Sequence, residues 1–164
     1  MKARLATRLG WCFTFYLRDG NKKIVGNFPI EMKWEEAQNQ IKDQYERFET
    51  ISDNITFGYL YDTPSGKLEP GCLYWNTDYP ENYYWDNHKG PHLMAVLPNG
   101  HHWCIDSRAN NCTLPDDRLH RCWVRTGEIP NITVGKGGNT CSAGAGSILS
   151  GDYHGFLTKG EFIP

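Results

Sequence analysis

Apolar residues recur along this chain in two rhythms, and each rhythm predicts an element. Trp11 to Leu17 is a β-rich run, Asp19-Gly20-Asn21 turns the chain, and Lys22 to Val25 returns as the second strand of a hairpin. Trp34, Ala37, Ile41, Tyr45 and Phe48 then fall at helical spacing, with Glu35, Glu36, Lys42, Asp43 and Arg47 on the other side, which predicts an amphipathic helix over 33–49. Asn54 to Tyr61 is dense in β-branched and aromatic residues and reads as a strand closed by the turn Thr63-Pro64-Ser65-Gly66. His92 to Leu97, the turn Pro98-Asn99-Gly100 and His101 to Ile105 give the strongest hairpin signal, and short strands are expected around Trp123 to Arg125 and Ile132 to Val134. The pattern predicts an α+β fold: a β-dominated single domain with one principal helix packed on a mostly antiparallel sheet.

Composition narrows the function classes. A chain of 164 residues is expected to form one domain over 1–164, burying about two thirds of its unfolded surface. With 39% hydrophobic and 13% aromatic residues and a formal charge of −2, it is globular in character and no disordered tail. Basic residues are scattered apart from Lys2, Arg4 and Arg8, so no nucleic-acid partner is expected. No apolar run approaches membrane-spanning length, and Met1 to Leu9 lacks the apolar core and cleavage site of a signal peptide. The expected compartment is therefore the cytoplasm. There the six cysteines serve as reduced thiols, metal ligands or a nucleophile rather than as disulfides. The sequons at Asn54, Asn111 and Asn131 are then chance matches.

Four groups of residues carry chemistry. Tyr74, Trp75, Tyr83, Tyr84 and Trp85 are interleaved with Asp78, Glu81 and Asp86. That mixture suits a peptide or protein partner better than stacked bases. His101, His102, Cys104, Cys112, His120 and Cys122 are residue types that suit zinc, with Cys104, Cys112, His120 and Cys122 the expected ligand set. No close Cys-x-x-Cys pair is present, so a further ligand from Cys72, His88 or His92 would come only through folding. Val134-Gly135-Lys136-Gly137-Gly138-Asn139-Thr140 lacks the Gly-Lys pair of a phosphate loop and reads as a glycine turn.

The fourth group lies in the glycine-rich segment 135–160. Ser147 or Cys141 can act as nucleophile there, with His154 as base and the backbone N–H groups of Gly144 and Gly146 as oxyanion donors. Spacing leaves the choice between Ser147 and Cys141 open. Neither sits in a Gly-x-Ser-x-Gly elbow, so an α/β-hydrolase is not indicated. Among Asp106, Asp152 and Glu128, Asp106 is the preferred partner for the histidine, because it ends a strand beside the turn-rich segment.

Ser147-Ile148-Leu149, then His154-Gly155-Phe156-Leu157 and the turn ending Gly160-Glu161-Phe162-Ile163, resemble the pattern Ser-Ile-Leu, His-x-Phe, Gly-x-Ile of a small uncharacterised-domain family. Its members occur in phages and in bacterial operons for ubiquitin-like conjugation. The domain was first called metal-binding and is now regarded as a serine peptidase that processes the ubiquitin-like protein. The resemblance covers the last 70 or so residues and implies Ser147 as nucleophile and His154 as base. It also likens His101-His102-Trp103 to the family's tryptophan-bearing strand. Two features depart from the family: Gly146 stands where a proline is usual, and the usual Asp-Cys-x-His continuation would lie after Pro164. A third catalytic member would then be His120, Asp106 or Glu128.

The expected function is thus hydrolysis of a peptide or isopeptide-like acyl bond, with a protein or peptide substrate, ubiquitin-like by the resemblance. No cofactor is required for that chemistry; the Cys and His residues either bind a structural zinc or are buried thiols and hairpin-surface imidazoles. The cytoplasm would be the host's if the chain is phage-encoded. The competing expectation is a phage-type binding or inhibitory protein that uses the aromatic and acidic surface, with its Cys and His residues serving structure or zinc.

Overall fold

The chain leaves its first strand, β1 (Arg4–Leu5), after two residues and comes back to pair with it in parallel at Cys72 and Leu73. A computed structural model describes residues 1–16, 22–33, 35, 36, 39, 40, 56–76, 91–109, 111–117, 120–136, 141, 143 and 146–164. Between departure and return lies an inserted unit, Thr7–Lys67, and the remainder, Met1–Ala6 with Leu68–Pro164, forms a second compact unit. The length argument expects one domain; the contacts group the chain into these two units.

The inserted unit is a three-stranded antiparallel sheet in which β2 (Arg8–Tyr16) lies between β3 (Lys22–Pro29) and β4 (Thr56–Tyr61). Its neck is closed by Thr7, whose N–H donates to Asp62 Oδ1 at 2.6 Å and whose carbonyl accepts the Asp62 N–H at 3.1 Å. The turn expected at 63–66 forms, with the Gly66 N–H donating to the Thr63 carbonyl at 2.9 Å.

The larger unit holds two sheets. The first has the order β1-β5-β6-β7, with β5 (Cys72–Asn76), β6 (His92–Val96) and β7 (His102–Cys104) antiparallel to one another. All five residues of β6 are buried, as its unbroken apolar run requires of a strand covered on both faces. The β6–β7 turn is the predicted Pro98-Asn99-Gly100, with Gly100 at φ 84°. The second sheet is built from β8 (Val124–Thr126), β9 (Thr133–Gly135), β10 (Ile148–Ser150), β11 (Tyr153–Thr158) and β12 (Glu161–Ile163). Its order is β10-β11-β9-β8, with β12 also on β11.

Along β11 burial alternates: Tyr153, Gly155 and Leu157 point inward, His154 and Phe156 outward. Leu73, Leu93, Leu97, Ile148, Leu157 and Phe162 come from both sheets and meet in one core, all at most 2% exposed. Gly155 is imposed by packing, since a Cβ there would stand 2.3 Å from the Ile163 carbonyl oxygen and 2.5 Å from the Tyr153 hydroxyl.

The structure corrects the α+β expectation. Among the described residues every element is a strand, and helical backbone is confined to Glu35, Glu36, Asn39 and Gln40. The stripe Trp34, Ala37, Ile41, Tyr45 and Phe48, which carried the helix expected over 33–49, lies outside the described residues. The described core of the larger unit is filled by side chains of strands and the turns between them, so sheet against sheet does the burying there. The fold is β-dominated. No helix among the described residues is long and apolar enough to cross a membrane.

Candidate functional site

After β7 the chain runs through an irregular loop from 105 to 123, and one buried cation gives that loop its shape. Arg108, 9% exposed, donates from Nε to the His120 carbonyl at 3.2 Å. Its Nη1 donates to the carbonyls of Leu114 at 3.0 Å and Pro115 at 2.8 Å, and its Nη2 to that of Asp117. A planar guanidinium with five donors thus replaces the backbone pairing the loop lacks. The Cys122 N–H donating to the Ser107 carbonyl at 3.2 Å closes the loop at its base.

This closure brings Cys112, His120 and Cys122 together and sets them against Cys141, which arrives from the segment after β9. The three Sγ atoms and one imidazole nitrogen all lie within 4.8 Å of one another, so the four residues could hold a metal ion. The separations test which one. Cys141 Sγ stands 3.8 Å from both Cys122 Sγ and Cys112 Sγ, and Cys122 Sγ stands 3.5 Å from His120 Nε2. A tetrahedral zinc with bonds of about 2.3 Å to sulfur and about 2.0–2.1 Å to nitrogen has S···S edges of about 3.8 Å and S···N edges of about 3.5 Å. The three edges fit that tetrahedron.

At Cys141 the surroundings favour thiolate. Cys141 Sγ accepts from the Thr113 N–H at 3.2 Å, the Thr113 hydroxyl at 3.3 Å and the Ala143 N–H at 3.4 Å. These donors, the Thr113 hydroxyl foremost, hold the Cys141 thiol down to about 5. The Leu114 N–H donates to Cys112 Sγ at 3.4 Å. Burial pushes the Cys122 thiol up to about 11, because a thiolate taken out of water loses its hydration, and the neighbouring Cys112 and Cys141 sulfurs add to the rise. A divalent cation would supply a counter-charge.

The expected zinc set differs from this cluster at one position. Cys104 lies in β7, paired with Met94, and its carbonyl accepts from the Ser107 hydroxyl; Cys141 takes the fourth place instead. His101 and His102 also stand apart from the cluster. The His101 ring fills the space over Gly151, and His102 Nδ1 meets the Tyr74 hydroxyl at 2.6 Å. The pair His120-Arg121-Cys122 was a usable signal, since positions i and i+2 of extended chain share a side. Nothing in the local spacing points to Cys141, nineteen residues beyond Cys122.

The second candidate lies on the β10–β11 hairpin. His154 Nε2 is 3.0 Å from Ser147 Oγ. Ile148 pairs with Gly155 and Leu149 with His154, so Ser147 and His154 are diagonal neighbours on the outward face. Ser147 is half-buried and His154 exposed. Cys141 is 6% exposed and belongs to the cluster with Cys112, His120 and Cys122. Gly146, at φ 88°, turns the chain just before the serine; Gly144 lies outside the described residues.

Asp106 is placed elsewhere. Its Oδ2 accepts the Leu93 N–H and its Oδ1 the Arg125 Nε–H, both at 2.8 Å, so it fastens β8 to the first sheet. Asp152 is held by the Asn99 amide at 2.8 Å, chiefly for which its carboxyl lies below the usual range. Among the described residues no carboxylate hydrogen-bonds His154.

Of the expected partner surface, Tyr74 is buried, and Trp75 packs against the core with the Arg125 guanidinium 5.5 Å over its ring. Tyr83, Tyr84 and Trp85 lie outside the described residues. Neither protein-family models, nor curated proteins, nor solved structures match the chain.

Proposed function

We propose that the protein is a serine hydrolase of peptide or isopeptide-like acyl bonds, carried on a β scaffold stapled by zinc. The observation that carries the catalytic reading is the 3.0 Å separation of Ser147 Oγ and His154 Nε2, a distance at which imidazole can take the hydroxyl proton. Oγ attacks the acyl carbon as Nε2 accepts that proton. Nε2 then returns it to the departing amine; water, deprotonated by the same nitrogen, attacks the acyl carbon, and that proton passes from Nε2 to Oγ as the acyl–Oγ bond breaks. Backbone N–H groups at Gly146 and Ser147 are the proposed donors to the oxyanion. The family resemblance of Ser-Ile-Leu and His-Gly-Phe-Leu supports the same two residues, and it rests on the motif alone.

The test is the acylation burst with p-nitrophenyl acetate. The full chain should release one nitrophenolate per protein in the burst. Ser147→Ala should abolish the burst, and His154→Ala should slow it by about 10²–10⁴-fold. A burst that survives Ser147→Ala contradicts the mechanism.

For the metal, we infer zinc held by Cys112, His120, Cys122 and Cys141 in a structural role. Four protein ligands fill a tetrahedron and leave no open position for water or substrate, which is the arrangement of a structural site. Bound zinc would hold the 105–123 loop to the 141–147 segment, and so fix the backbone that leads into Ser147.

A second reading, a binding or inhibitory protein, is favoured by the outward face of the same hairpin. Leu149 is 73% exposed, Phe156 44% and Ile163 43%. The pairings Leu149 with His154 and Phe156 with Ile163 put them on the face that carries His154. In that reading Ser147→Ala leaves partner binding intact and there is no burst to lose.

A further inference from the structure

A lysine normally buries its aliphatic stem and keeps its ammonium in water. Lys136 does the reverse. The residue as a whole is half-buried, yet Nζ itself is sealed from solvent and has no hydrogen-bond partner. Its stem lies against Gly146: a Cβ on that glycine would stand 3.8 Å from Lys136 Cγ. Gly146 precedes Ser147, the residue that meets His154. An ammonium has three donors and no acceptor, and in a desolvated position it requires an anion. Among the described residues none supplies one.

We propose that Lys136 Nζ is the anchor of an anion site beside Gly146 and Ser147, and that its ligand is a carboxylate. One ammonium offsets one negative charge. A dianionic phosphate would leave a net charge without compensation in the same desolvated place, so a monoanionic oxyanion is the fitting class. A terminal or side-chain carboxylate of a peptide has that chemistry. Gly146 holds the chain beside the lysine stem in a turn at φ 88°, a conformation that a residue with a side chain adopts only with strain. The site does not depend on Ser147 acting as a nucleophile, and the test reads binding alone.

The test uses thermal unfolding of the full chain at constant ionic strength, with acetate exchanged for chloride and inorganic phosphate as the comparison anion. Acetate at about tenfold over its Kd should raise the wild-type Tm by about 3–6 °C and saturate. Lys136→Met should unfold at or above the wild-type temperature without acetate, since it removes a desolvated charge, and should show no acetate response. A Lys136→Met protein that is less stable than wild type and still responds to acetate overturns the proposal, as does a larger response to phosphate than to acetate. If Lys136→Met does not fold, 15N-lysine spectra of the wild type decide. One lysine Nζ signal, absent in Lys136→Arg, should move with acetate, and a set of unmoved signals overturns the site.

Discussion

At Cys141 three hydrogen-bond donors and two neighbouring sulfurs converge on one atom, and that convergence defines the residue's work. Thr113 donates twice and Ala143 once, which stabilises charge on a sulfur that stands 3.8 Å from both Cys112 Sγ and Cys122 Sγ. Such outer donors are typically worth about 10–100-fold in metal affinity. Thr113→Val should therefore weaken zinc binding within that range, and Cys141→Ser should weaken it further, both measured by competition with a chromophoric chelator. If Cys141→Ser binds zinc as tightly as wild type, the cysteine is not a ligand. Residue type made Cys141 legible as a reactive thiol. Its meeting with Cys112, His120 and Cys122 depends on Arg108, whose four carbonyl partners fold the 105–123 loop, and that dependence is not written in local spacing.

Among the elements, β11 states its own geometry most clearly, since its alternation puts Leu157 at 0% exposure and Phe156 at 44%. Leu157→Ala should cost about 2–5 kcal/mol by leaving a cavity where two sheets meet. Phe156→Ala, one position away on the outward face, should stay within about 0.5 kcal/mol. Denaturant unfolding of the two variants reads the contrast, and equal losses would mean that the strand register is wrong. The hairpin 92–105 was legible for a different reason, the turn Pro98-Asn99-Gly100 between two apolar runs, and the strand ending at Tyr61 through its β-branched and aromatic residues. The helix was another matter. A stripe of five apolar positions satisfies a helical period, but periodicity alone does not say which surface does the burying, and in the described core of the larger unit strand packs on strand.

For the whole molecule, the four residues that could hold a metal ion come from 112–122 and from Cys141, nineteen positions beyond Cys122, all within the larger unit. Purified chain should carry one zinc, with X-ray absorption giving three sulfurs at about 2.3 Å and one nitrogen at about 2.0–2.1 Å. Removing it with a strong chelator should lower Tm and open the 105–123 loop to protease, because binding energy of a structural metal is folding energy. Metal-free protein with unchanged Tm and unchanged cleavage would contradict the staple. Residue content announced that zinc chemistry was available, whereas the ligand set required the fold. The central claim is that Ser147 is an activated nucleophile. Its most direct test is reaction of the folded full chain with a fluorophosphonate probe, followed by mass-spectrometric mapping of the adduct. The account predicts one adduct at Ser147 that disappears on heat unfolding and in His154→Ala; a folded protein in which Ser147 stays unlabelled would contradict it.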